Sequence, residues 1–301
     1  MIVFIVDHCS LLNYASDMDF DFYKLQTAGN DLILINFSGT QMPDNELLSE
    51  ISESICRRDY GIGGNGVIVV KTLSSQEISA FFLDPFGTFK LPTFDAAICL
   101  SRYVFDTGMF GKNDFKLTIN GSEHQVGIID SKNFRISLGI PLDEEGLELV
   151  EKPDSDFIRY IKASGRKYPV TAVNIQKEGI VIFSENRSIS QLKETADEIL
   201  KAEGSPTNSR LIFATVNSRE ELVVHIRNSR GDDFISSCAI AAAASVITGF
   251  LDRNATIIHK QEELFFQWLQ PSNEIFMTGG ADYVYTGSIF IDDNGNYRSS
   301  P

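Results

Sequence analysis

The sequence is poor in positive charge: 26 Lys and Arg stand against 41 Asp and Glu, a net charge of −15 over 301 residues. Nothing in it resembles a Lys/Arg stripe able to neutralise phosphates, which excludes nucleic acid as a partner. Cysteine is scarce too. Cys9, Cys56, Cys99 and Cys238 are scattered without CxxC spacing, and His8, His124, His225 and His259 are isolated. Neither a disulfide framework nor a metal site is expected, and the usage suits a reducing compartment, the cytoplasm. Long hydrophobic runs are missing as well. "CAIAAAASVITGFL" is too short to span a bilayer and reads as a core helix. "MIVFIV" at the start lacks the positive flank of a signal peptide, so no membrane association is expected.

What is present describes a folded α/β chain. With 43% hydrophobic and 22% charged residues the composition supports a sizeable core. The length suits one large domain or two ordinary ones. Strand-like runs such as "DLILINF", "GVIVV", "ISAFFL", "EGIVIF", "RLIFATV" and "LFFQWL" are β-branched or aromatic and are separated by Gly, Asn, Asp or Pro. Helix signals interrupt them at "DNELLSEISESICRRD", "FDAAICLSRYVFD", "QLKETADEILKAE" and the alanine run after Cys238. The order is not a regular βαβ alternation, so the expected class is mixed α/β (α+β).

A weak duplication runs through it. "AFFLDPFGTFKLPTFDAAICLSRYVFDTG" gives a strand, a polar Gly turn and a small-residue helix ending at Gly, and "LVVHIRNSRGDDFISSCAIAAAASVITG" repeats that order. Aligning the two helices sets Thr93 opposite Cys238. Ser236 and Ser237 are good N-cap residues, so Cys238 is expected in the first turn, where the helix dipole favours a thiolate. Two halves of about 140 residues fit the domain-size range. "GIGGNG" (Gly61 to Gly66) matches GxGxxG, but strand-like "VIVV" follows where a dinucleotide site needs a helix.

The chain resembles the diaminopimelate epimerase family of cofactor-independent amino-acid racemases and epimerases. "FYKLQTAGNDLILINF" is similar to its opening strand, "ICRRDYGIGGNGVIVV" to its Arg-x-x-Gly-Ile-Gly turn, and "EIFMTGGADYVYTGSIF" to its C-terminal Met-Thr-Gly-Pro-Ala segment. The resemblance implies two pseudo-symmetric halves, each a curved sheet around a central helix, with a cleft between them. The expected bounds are 1–132 plus 282–301 for the first half, residues 1–20 being an extension, and 133–281 for the second. It also implies isomerase chemistry with no cofactor and no metal, a small amino-acid ligand, and a second copy of the chain as the macromolecular partner to consider.

By that resemblance the site residues are Cys238 and Thr93 at the two catalytic positions. Asn30, Asp95, Gln176, Arg210, Ser229, Arg230, Ala239 and Ile240 fall at the substrate-binding positions. The departures are marked. The family's first Cys-Gly-Asn-Gly is Thr93-Phe94-Asp95-Ala96 here, and its second Cys-Gly-Thr-Gly is Cys238-Ala239-Ile240-Ala241. Stereoinversion at an α-carbon needs a base on each face, and a threonine hydroxyl titrates too high to abstract the proton. The lost glycines remove close approach to backbone donors, and Phe86, Phe89 and Phe94 add bulk. Two-thiol epimerisation is therefore not expected. The alternatives are a non-catalytic homologue that acts by binding, its cleft filled by the phenylalanines, or a one-base lyase using Cys238.

Overall fold

The computed structural model describes residues 2–3, 18–74, 77–90, 93–109, 114–119, 122–149, 157–175, 177–184, 188–201, 210–227 and 233–291. They form two compact units. One takes residues up to Ile136 and from Gly280 onward; the other lies between Ser137 and Gly279.

The chain begins with β1 (Ile2–Val3), β2 (Met18–Thr27), β3 (Asn30–Asn36), α1 (Asn45–Ile55), β4 (Val67–Ser74), β5 (Glu77–Leu83) and α2 (Phe94–Asp106). There follow β6 (Phe115–Ile119), β7 (Ser122–Ile128) and β8 (Asn133–Gly139). The second run is β9 (Arg159–Ala163), β10 (Arg166–Ile175), β11 (Lys177–Phe183), α3 (Ile189–Leu200), β12 (Arg210–Ser218), β13 (Glu221–Ile226) and α4 (Phe234–Ile247). It continues through β14 (Asn254–His259), β15 (Glu262–Trp268) and β16 (Ile275–Gly280), before β17 (Asp282–Ile291) returns antiparallel to β2.

The duplication seen in the sequence recurs in the strand pairing. β2–β3 is antiparallel, β3–β4 parallel, β4–β5 antiparallel, β5–β6 parallel, and β6–β7 and β7–β8 antiparallel. The series from β10 to β16 repeats those senses in the same order. Each parallel pair is joined through a helix, because a tight hairpin cannot join parallel neighbours. Even a register shift recurs, between Thr72 and Ser74 on β4 and between Val216 and Ser218 on β12.

Local chemistry explains the helices. Asp44 caps α1 by accepting from the Leu47 N–H, and Leu47, Leu48, Ile51 and Ile55 supply its buried face. Ser188 and Gln191 form a capping box on α3. α4 is buried along its whole length, and its alanines let β10 to β15 pack closely around it. A helix apolar on all sides belongs inside a domain. Among the described residues no helix is long and apolar enough to cross a membrane.

Candidate functional site

In the first unit the chain reaches α2 through an Asx turn: Asp84 Oδ1 accepts from the Phe86 and Thr88 N–H groups. The three phenylalanines expected to add bulk behave differently. Phe94 is buried and Phe89 packs beside the Phe81 ring, but Phe86 is 63% exposed at the turn tip. The turn fixes its backbone and leaves its side chain in solvent.

Thr93 is the N-cap of α2. Its Oγ1 accepts from the Ala96 N–H at 3.1 Å, and the residue is 8% exposed. Asp95, in the same turn, is fully buried. Asn30 Nδ2 donates to Asp95 Oδ2 at 2.6 Å, and Asn65 Nδ2 donates to Asn30 Oδ1 at 2.7 Å. Arg58 Nη2 donates to Asn65 Oδ1 at 3.0 Å, while both Arg58 Nη atoms bind the Asp31 carboxylate at 2.9 and 2.6 Å. Lys24 Nζ bridges Asp31 at 3.0 Å and donates to the Gly63 carbonyl at 2.7 Å. Burial opposes ionisation of Asp31, but the hydrogen bonds from Arg58 and Lys24 outweigh it and hold the carboxyl below its usual range. The Gly61–Gly66 loop thus presents carbonyls inward and runs into strand β4, with no helix behind it. The network thus joins Asn30 and Asp95, which the resemblance sets at substrate-binding positions, to Lys24, Arg58 and Asn65, for which it carries no such expectation.

In the second unit the helix starts earlier than its serines suggested. Asp233, not Ser236 or Ser237, is the N-cap of α4, accepting from the Ser236 N–H at 2.9 Å. Cys238 is therefore in the second turn and is 0% exposed. Counted from their caps, Thr93 matches Asp233, so Thr93 and Cys238 are not at equivalent helical positions. The two serines are held otherwise. Ser237 Oγ donates to the Asp233 carbonyl and Ser236 Oγ to the Ile175 carbonyl. Arg210 Nη1 donates to Ser236 Oγ at 3.0 Å, Ser237 Oγ at 3.3 Å and the Asp233 carbonyl at 3.4 Å. Its Nε is buried with no acceptor among the described residues. Ala239 and Ile240 lie inside the helix, fully buried, where backbone N–H groups serve the i−4 carbonyls. Gln176, Ser229 and Arg230 lie outside the described residues.

Each long helix opens on a phenylalanine against a buried imidazole. Phe94 meets the His124 ring edge-on at 5.5 Å, and Phe234 stacks on His259 at 5.2 Å. The His259 Nδ1–H donates to the Val224 carbonyl at 3.0 Å, and burial pushes its pKa down to about 4. Burial also raises the Cys56 thiol to about 12 and the Cys99 thiol well above its usual value, as befits core cysteines. Among the described residues no cluster of three or more His, Cys, Asp or Glu is placed to hold a metal ion.

No family model matches the chain. A diaminopimelate epimerase from Desulfitobacterium hafniense is 26% identical over 281 residues, spanning 89% of this chain and 98% of its own. Among solved structures, a phenazine biosynthesis protein of the PhzF family from Bacillus anthracis matches with a TM-score of 0.65 at 9% identity, covering 91% of this chain and 100% of its own. A hydroxyproline epimerase from Agrobacterium vitis, with bound trans-4-hydroxy-L-proline, matches with a TM-score of 0.56 at 9% identity over 92% of this chain and 95% of its own. In sequence the chain is similar to diaminopimelate epimerases, and its fold is that of the solved PhzF-family and hydroxyproline epimerase structures.

Proposed function

We propose that this protein keeps the scaffold of the cofactor-independent epimerases without their two-thiol reaction, and acts as a non-catalytic homologue that binds a small carboxylate-bearing ligand. The observation that carries the reading is the state of Cys238, a thiol enclosed in the second turn of α4 with 0% exposure. A general base must come within hydrogen-bond reach of the proton it removes. At the other catalytic position Thr93 offers a hydroxyl, and that oxygen already caps α2. A lyase working through Cys238 alone would meet the same enclosure. Arg210 supports the binding half of the reading, since a guanidinium whose buried Nε–H has no acceptor among the described residues suits a carboxylate.

The test is solvent exchange. The full chain is incubated in D2O with LL- or meso-diaminopimelate and the α-proton is followed by NMR. No deuterium incorporation is expected. Turnover above roughly 1 per second, the low end of ordinary enzymatic rates, would overturn the proposal.

A further inference from the structure

α4 is fastened at its start by stacked rings. Its first residue, Phe234, lies against the His259 ring with the centroids 5.2 Å apart, and Lys260 Nζ sits over the same Phe234 ring at 4.8 Å. His259 ends β14 and is 2% exposed. Its Nδ1–H donates to the Val224 carbonyl, which fixes the neutral tautomer with the lone pair on Nε2. Nε2 is buried and has no partner among the described residues. A bare lone pair is tolerable there, whereas protonation adds an N–H and a full charge with nothing to receive them.

The surroundings do not compensate. Burial holds the imidazole neutral down to a pKa of about 4, and Lys260 and, from β13, His225 act in the same direction against the Val224 bond. From β15, Glu262 stands opposite His259 in the ladder, yet no oxygen reaches Nε2. From α4 the charged neighbour is Asp233, whose Oδ1 accepts the Ser236 N–H as the helix cap. Cys238 follows Phe234 by four residues and so shares its face of the helix. Helical side chains lean back towards the N-terminus, which turns the thiol towards that ring.

We propose that Phe234 and His259 form an acid-sensitive latch: the neutral imidazole holds the start of α4 shut over Cys238, and the imidazolium, which must reach water, releases Phe234 and lets the first turns open. The latch does not depend on whether the protein turns over a substrate.

Thiol labelling of the full chain tests it. The probe is 4,4′-dithiodipyridine, which reacts with thiols in mild acid, and each cysteine's rate is divided by its rate in the denatured chain at the same pH. An imidazole that titrates near 6.5 when released and near 4 when held should raise the Cys238 ratio roughly twentyfold between about pH 7 and pH 5. Cys56, enclosed behind α1, should not follow. A flat Cys238 ratio would overturn the latch, and so would an equal rise at Cys56, which marks global unfolding. His259→Asn should leave the neutral ratio unchanged and abolish the acid rise; a rise that persists also rejects the latch. Should that variant fail to fold, hydrogen exchange of the wild type decides, corrected for the intrinsic rate at each pH. Acid should then lower protection at the start of α4 and spare Val246 and Ile247, and uniform loss along the helix rejects the latch.

Discussion

Gly179 on β11 makes room for Ile240 on α4. A Cβ at Gly179 would lie 2.9 Å from Ile240 Cγ2 and 3.0 Å from Ile212 Cδ1, closer than well-packed carbon atoms approach. Ile240 stands where the resembled family has the threonine of its Gly-rich turn. Here it is a packing residue that holds the helix to the sheet.

Gly179→Ala should accordingly overpack the second unit and cost about 1–3 kcal/mol. Combining it with Ile240→Ala should give a loss smaller than the sum of the two, with a coupling of about 0.5–3 kcal/mol read from urea unfolding. Strict additivity would show that the two side chains do not share the space.

Cys238 should resist alkylation in the native protein as completely as Cys56 and Cys99, all three being enclosed. Iodoacetamide labelling located by mass spectrometry, before and after denaturation, measures this. Selective native labelling of Cys238 would mean that the start of α4 opens as far as its second turn, and a thiol-based reaction would return to consideration.

Acid should weaken the fold through its buried histidines. An unfolded histidine titrates near 6.5, and His259 in the fold near 4. Between these values the unfolded chain binds the extra proton, so stability is full above pH 6.5 and declines as pH falls towards 4. The decline from His259 amounts to about 3 kcal/mol at most. His124 and His225 are shifted in the same direction by burial and add to it. His259→Asn keeps a donor for the Val224 carbonyl and should flatten the dependence of urea midpoints on pH over this range. An unchanged slope would assign the effect to other groups.

Restoring one thiol should not restore epimerisation. Thr93→Cys replaces a capping hydroxyl while Asp95 still occupies the start of α2 and Cys238 stays buried. Loss of one preorganised donor typically raises a barrier by about 2.7–4 kcal/mol, and the Gly-rich turns that would supply several are absent from both halves. The assay is α-proton exchange in D2O, comparing Thr93→Cys with a variant that also carries those turns. Robust exchange by the single variant would contradict the proposed function.

The local sequence is enough for α2, which spans the same residues that "FDAAICLSRYVFD" indicates, and for the alanine-rich body of α4. Small residues and helical spacing act over a few positions, so they can be read without the fold. The β6–β7 hairpin and the long strand β10 are not legible in the same way: the alternation in β6 is only five residues long, β7 carries polar Glu123, His124 and Gln125 in a row, and Arg166, Lys167 and Pro169 break the apolar pattern of β10. Their strand state comes from ladder pairing with neighbours already in place. The start of α4 combines a local cap with tertiary contacts. Asp233, Ser236 and Ser237 are all good caps in isolation, but Arg210 and the Ile175 carbonyl engage the two serine hydroxyls and Asp233 is left to cap. That choice puts Cys238 a turn deeper than the sequence implied. Likewise Asp95 reads as an ordinary first-turn acid until Asn30, 65 residues earlier, meets it across 2.6 Å. A cap is a local interaction, whereas the hydrogen-bond partner that competes for it comes from another strand, and only the folded chain brings the two together.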